Sequence, residues 1–133
     1  ENTTIARLGI LRCSQALGRH QAAIDIAEQI LSDTPVEEET KAEALYGRAK
    51  AYVALKQWRK AQPDLKALAA EVRTAQGAEA KYLLAQSYYG QEDYQTATEY
   101  FTTYYTTYPK GEFVELARYY AGYGLYLDGQ VRQ

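Results

Sequence analysis

The 133-residue chain has no methionine, one cysteine, one histidine and three prolines. Without methionine, Glu1 is not a native translation start, so the chain is expected to be a processed protein or an excised segment from which a signal peptide or lipid anchor could have been removed. A single Cys13 excludes an internal disulfide framework and leaves the compartment open. One histidine and one cysteine are a poor supply of nucleophiles, bases or metal ligands. The adjacent carboxylates Glu92 and Asp93 fall in an interhelical turn, where they cap or are solvated rather than facing a cleft. The expectation is therefore a protein that is not an enzyme and needs neither cofactor nor metal. No apolar stretch is long enough to span a membrane. The 15 Lys and Arg are interspersed with 17 acids, for a net charge of −2. They form no basic stripe, and nucleic acid is not an expected partner.

What the chain does have is a self-match at long period. Ala42-Glu43-Ala44-Leu45-Tyr46, ending in Trp58-Arg59-Lys60-Ala61, recurs 36 residues on as Ala78-Glu79-Ala80-Lys81-Tyr82, ending in Tyr94-Gln95-Thr96-Ala97. A fainter copy lies 38 residues upstream, where Leu8-Gly9 and His20-Gln21-Ala22-Ala23 align with Tyr46-Gly47 and Trp58-Arg59-Lys60-Ala61. Each half-repeat carries apolar residues at spacings of three and four, the mark of an amphipathic helix. In the third copy Leu84, Ala85 and Tyr88 share a face. A second stripe of Tyr94, Ala97, Phe101, Tyr104 and Tyr108 follows Gly90-Gln91-Glu92-Asp93 and stops at Pro109. Fixed-period similarity of this length marks a solenoid of helical hairpins and a binding scaffold.

These residues resemble the tetratricopeptide repeat, a roughly 34-residue helix-turn-helix with large, Leu-Gly, Tyr, Ala, Phe and Pro places. Leu84 and Ala85 stand at the Leu-Gly place, Tyr88 at the Tyr, Tyr94 at the turn aromatic, Ala97 at the small residue, with Phe101 and Tyr104 behind it. Lys81 departs at the leading aromatic. The second copy keeps Leu45, Ala49, Tyr52, Trp58, Ala61, Leu65 and Leu68. The first keeps Leu11, Gly18, Ala23, Ala27 and Ile30 but has Arg7 and Ser14 at large apolar places, so its first helix is expected to be frayed or terminal.

The implied fold is all-α, a right-handed superhelical solenoid of antiparallel helix hairpins in one domain, residues 1–133. Repeat 1 covers about 4–37, repeat 2 about 42–75, repeat 3 about 78–111, and a partial repeat 4 about 115–133. In that last repeat one helix is expected over Arg118–Asp128, with Gly122 and Gly129 at its close-packing and turn places. His20 aligns with Trp58 and Tyr94 as a hairpin-packing residue, and Cys13 aligns with Ala51 and Ser87 as a small buried one. Thr34-Pro35-Val36-Glu37 predicts an N-cap, a proline at the first helical position and a capping-box acid, with Glu37, Glu38 and Glu39 suiting the positive helix end. Pro63 predicts a helix that starts near Arg59 or Lys60 or bends there. The strand-forming run Thr102-Thr103-Tyr104-Tyr105-Thr106-Thr107 is expected to be helical because its stripe and repeat context override propensity.

The resemblance implies that the first helices of the hairpins line a concave binding surface. Three ladders then face the groove: Leu8, Tyr46, Tyr82 and Tyr119; Arg12, Lys50, Gln86 and Tyr123; and Gln15, Val53, Tyr89 and Tyr126. The groove grades from basic to aromatic, and tyrosine suits it because a wide apolar face and a hydroxyl come with few rotamers to lose. Other tyrosines, including Tyr52, Tyr88, Tyr94, Tyr100 and Tyr104, fill core places. The family's carboxylate clamp is absent, since its places hold Leu8 and Arg12, Gly47, then Glu79 and Leu83. Arg12 and Lys50 form instead a cationic corner suited to one carboxylate or phosphate, or else two exposed cations on a solvated face. The leading expectation is a protein or peptide partner bound with modest affinity. The alternatives are an assembly segment, self-associating through Tyr119, Tyr120, Tyr123 and Tyr126 of the last helix or docking it on further repeats, and recognition of cell-wall carbohydrate by stacked tyrosines. The Tyr108-Pro109-Lys110-Gly111 joint is similar to those of bacterial envelope repeat proteins, which points to a periplasmic or outer-membrane-associated setting.

Overall fold

The computed structural model describes residues 2–33 and 35–132. Among these there are seven helices and no strand: α1 (Asn2–Ala16), α2 (His20–Ser32), α3 (Glu38–Ala54), α4 (Trp58–Ala69), α5 (Ala75–Gly90), α6 (Tyr94–Thr107) and α7 (Val114–Arg132). They divide into two compact units, residues 1–64 and 65–133, with the boundary inside α4.

The three hairpin turns share one backbone solution. Gly18, Lys56 and Glu92 hold positive φ angles of 69°, 59° and 64°. The amide after each reaches back five residues, Arg19 N–H to the Ser14 carbonyl at 2.9 Å, Gln57 to Tyr52 at 2.8 Å and Asp93 to Tyr88 at 2.9 Å. This is the Schellman closure, which satisfies helix-end carbonyls by placing one residue in the left-handed region. The three turns recur at the 38- and 36-residue offsets of the self-match, and His20, Trp58 and Tyr94 each open the following helix. Only the first turn uses glycine, the residue that adopts this conformation without steric cost.

In the first unit, α2 brings Ala23, Ile24, Ala27 and Ile30 against Leu11 of α1 and Ala44 and Ala51 of α3, with Leu8, Leu31 and Tyr52 packed around them. The Arg7 guanidinium, at a place expected to be large and apolar, pairs with Asp33 just beyond α2. α1 is a full 15-residue helix. Cys13 is exposed, contrary to the expectation of burial, and Ser14 is buried in its stead. Ala51, at the equivalent place in α3, is covered by the first hairpin, whereas no described element precedes α1. The start of α3 also differs. The helix begins at Glu38, capped by extended Glu37 without a side-chain hydrogen bond, so Pro35 stands outside it; the expected cap Thr34 lies outside the described residues. Arg48 of α3 grips Asp64 of α4 with two hydrogen bonds of 2.8 and 2.7 Å, and Asp64 is 4% exposed. Pro63 lies in α4, which begins at Trp58, one residue before the expected start.

In the second unit, α6 packs on both α5 and α7. Thr74 caps α5, its hydroxyl accepting from Gly77 N–H at 2.8 Å. A side chain at Gly77 would drive its Cβ into the Glu71 carbonyl. Asp93 caps α6 through Thr96 N–H at 3.3 Å, so the Glu92-Asp93 pair does belong to a turn. The threonine run is helical, and the Thr106 hydroxyl donates back to the Thr102 carbonyl at 2.9 Å. The last helix is longer than the expected Arg118–Asp128, because Val114, Ala117, Ala121 and Gly124 form a buried stripe that starts a turn earlier. Gly124 takes the close-packing role expected of Gly122, since a Cβ there would sit 2.8 Å from Thr98 Oγ1 while one at Gly122 or Gly129 meets nothing. Gly129 is inside α7, not at a turn.

Two substitutions test these supports by urea denaturation. Glu92→Gly relieves a left-handed non-glycine residue and is expected to stabilise by about 0.5–1 kcal/mol, the opposite of Gly18→Ala. Asp64→Ala leaves the Arg48 guanidinium without its carboxylate and is expected to cost about 3 kcal/mol, much of it recovered by Arg48→Met with Asp64→Leu.

Candidate functional site

The residues of the first unit that were expected to face a groove are engaged with their own chain. Arg12 donates through Nε and a terminal nitrogen to both oxygens of Glu43, at 2.6 and 2.8 Å. That hydrogen-bonded carboxylate raises the Arg12 pKa, so the guanidinium stays fully charged. Lys50 Nζ donates to the Tyr46 hydroxyl at 3.2 Å and stands 5.0 Å from the ring centre. The expected cationic corner of Arg12 and Lys50 is thus not an open anion site. Glu43 already fills the forked geometry that an external carboxylate would use. Beside α1 an open cleft of about 650 Å³ has Ile5, Leu8, Ile30 and Val36 in its walls and Asp33 and Glu37 among its polar lining.

The second unit is organised by rings. Tyr82, expected in the groove, is only 3% exposed, which corrects that assignment. Phe113, ahead of α7, stacks on it at 4.5 Å, and Phe101 and Tyr104 of α6 meet it edge-on at 5.7 Å. Gln86 hydrogen-bonds Tyr82 and is half-buried. Tyr89 is half-buried among Tyr94, Phe101 and Tyr120. Tyr120, grouped with the exposed tyrosines by sequence, stacks on Phe101 at 5.5 Å instead. The remaining three ladder residues lie open on α7: Tyr119, Tyr123 and Tyr126 are 61%, 43% and 59% exposed, with successive ring centres 5.9 Å apart and planes within 18°. Leu116 and Leu125, which no ladder includes, are exposed on the same helix.

Glu43 was not among the candidate residues, and no spacing within one helix links it to Arg12, 31 positions away. Leu125 was legible in principle, being a large apolar residue within a stripe of tyrosines. Among the described residues no group of three or more His, Cys, Asp or Glu is placed to hold a metal ion. None of the described helices is long and apolar enough to cross a membrane.

A family model described as tetratricopeptide repeat matches residues 46–112, just over half of the chain. The chain belongs to the tetratricopeptide repeat family. Neither the curated proteins nor the solved structures contain a match to it. Tetratricopeptide repeats are typically non-catalytic scaffolds for protein–protein interaction. Ala23, Ala61 and Ala97 are each at most 1% exposed, as helices crossing closely within a hairpin require.

Burial, helped by neighbouring Tyr120 and Tyr104, pushes the Tyr82 phenol from its ordinary 10.0 up to about 12. The folded chain therefore holds this proton more tightly than the unfolded chain. Its contribution to stability is complete below pH 10 and is lost as pH climbs through about 12. Tyr82→Phe should lose less stability than the parent between about pH 9 and about pH 11, read from denaturation midpoints.

Proposed function

We propose that this tetratricopeptide repeat domain is a non-catalytic scaffold that docks a partner polypeptide on the outward face of α7. The observation that carries the reading is the row of Tyr119, Tyr123 and Tyr126, three large rings left open in stacked order with Leu125 beside them. Contiguous exposed apolar surface of this kind marks an interaction site on a folded chain. Tyrosines are the residues best suited to anchor one, because each offers a broad face, a hydroxyl and little entropy to lose. The row is held from behind: Tyr119 meets Tyr120 edge-on at 5.2 Å, and Tyr120 rests on Phe101 and Tyr89. An incoming chain therefore finds rings already fixed in place, which lowers the ordering cost of binding.

In the first unit Tyr46, with Lys50 folded over it, and the Arg12–Glu43 pair offer a more polar surface. There an incoming carboxylate competes with Glu43 for Arg12, and an incoming cation competes with Arg12 for Glu43. Gln86 and Tyr89 lie deeper and support the surface more than they present it.

Selection of a random peptide display library on the parent chain, with Tyr119→Ser, Tyr123→Ser and Tyr126→Ser combined as the comparison protein, tests the reading. Recovered peptides are expected to bind the parent with Kd of order micromolar and to lose at least about tenfold on the triple variant. Peptides that bind both proteins equally place docking elsewhere and overturn it.

A further inference from the structure

We propose that the polypeptide seated on α7 is a second copy of this chain, packed antiparallel against the first as a weak two-fold dimer. The inference rests on the reading of α7 as a docking face and names its occupant.

Tyr119, Gly122, Tyr126 and Gly129 follow one another at spacings of three, four and three, so they form a single line along the helix, the seam of a heptad. The line alternates a large ring with no side chain at all. Both glycine positions are open, since a Cβ on either meets no atom within 4 Å. Tyr123 and Leu125 flank the seam on its two sides, and Gly124 is opposite it, packed on Thr98 of α6. The seam therefore points away from the rest of the unit.

Turned antiparallel about residue 124, two such lines fit each other. Tyr119 falls against Gly129 of the partner subunit, and Tyr126 falls against Gly122 of the partner subunit. Each ring meets a notch, and by symmetry the same contacts form twice. A partner helix without this alternation would set ring against ring or leave the notches empty.

Charge agrees with a self-contact. From Tyr119 through Leu127 there is no Asp, Glu, Lys or Arg, so two copies of a chain with net charge −2 meet here without opposing like charges. Glycine is among the poorest helix formers. Two of them on the open line of one 19-residue helix oppose the helix itself, and close approach by another helix offsets that. Size sets the strength. The exposed parts of Tyr119, Tyr123, Leu125 and Tyr126 amount to roughly 400 Å² on each copy, below the span of permanent interfaces and suited to a reversible dimer.

Sedimentation of the full chain from about 1 µM to about 1 mM reads the result. The parent is expected to move from monomer toward dimer across that range. Gly122→Gln with Gly129→Gln fills both notches with a better helix former. It should weaken association at least tenfold while leaving the melting temperature unchanged or higher, a combination that loss of fold does not produce. Tyr119→Ser should weaken association in the same direction. A parent that stays monomeric throughout overturns the dimer, as does a glycine double variant that associates as well as the parent. If the parent is monomeric and display-selected peptides still depend on Tyr119, Tyr123 and Tyr126, only the identity of the occupant has failed. If those peptides ignore the three tyrosines as well, the docking face itself has failed.

Discussion

Everything in the chain depends on how a helix is made to turn back on itself. Each hairpin is closed by one residue on the left-handed side of backbone space and by one amide that reaches back five positions. That closure fixes where the second helix starts and which of its faces returns toward the first. The small side chains Ala23, Ala61 and Ala97 then come to the crossing, where a larger group would force the helices apart. Two of the three turns maintain this geometry without glycine, so packing on either side outweighs a local backbone cost of about 1–2 kcal/mol. Local conformation yields to tertiary contact here, as it does in the threonine run of α6.

The periodic part of the structure was open to inspection of the sequence. The 36- and 38-residue offsets locate the turns, the aromatic or histidine residue that opens each second helix and the alanine crossings. What periodicity cannot convey is a contact made once. Tyr82 occupies the place of Tyr46 in the repeat, yet Phe113 stacks on it, and one period before Phe113 the chain has Gly77. Cys13 shows the same limit from the other side, because its counterpart Ala51 packs into the core with the first hairpin while Cys13 itself stays exposed. In α7, Gly122 held the expected place while Gly124 made the close contact, since the buried stripe starts at Val114 and carries its own phase.

Charge in this protein is spent inward. Arg7, Arg12 and Arg48 each bind a carboxylate from a different helix or from the segment just beyond one, and only the last of these pairs is well shielded from solvent. An exposed pair such as Arg12 with Glu43 contributes little to stability, but it changes what the surface offers, because a fork already filled does not attract anions. In the second unit the open tyrosines of α7 are the prominent exposed aromatic feature. Their order is imposed by a second layer of rings, Tyr120, Phe101 and Tyr89, so surface and core in that unit are one aromatic assembly.

Gly77 illustrates how need for a residue can be misread. Its place in the first turn of α5 brings the backbone against the Glu71 and Leu68 carbonyls, leaving no room even for a methyl group. The position does not line the cleft beside α1, and the atoms nearest an added Cβ all belong to the backbone. A survey that scored each position by its tolerance of change would nonetheless rank it with the most demanding sites, and the demand would come from two peptide groups passing too closely rather than from anything the protein binds.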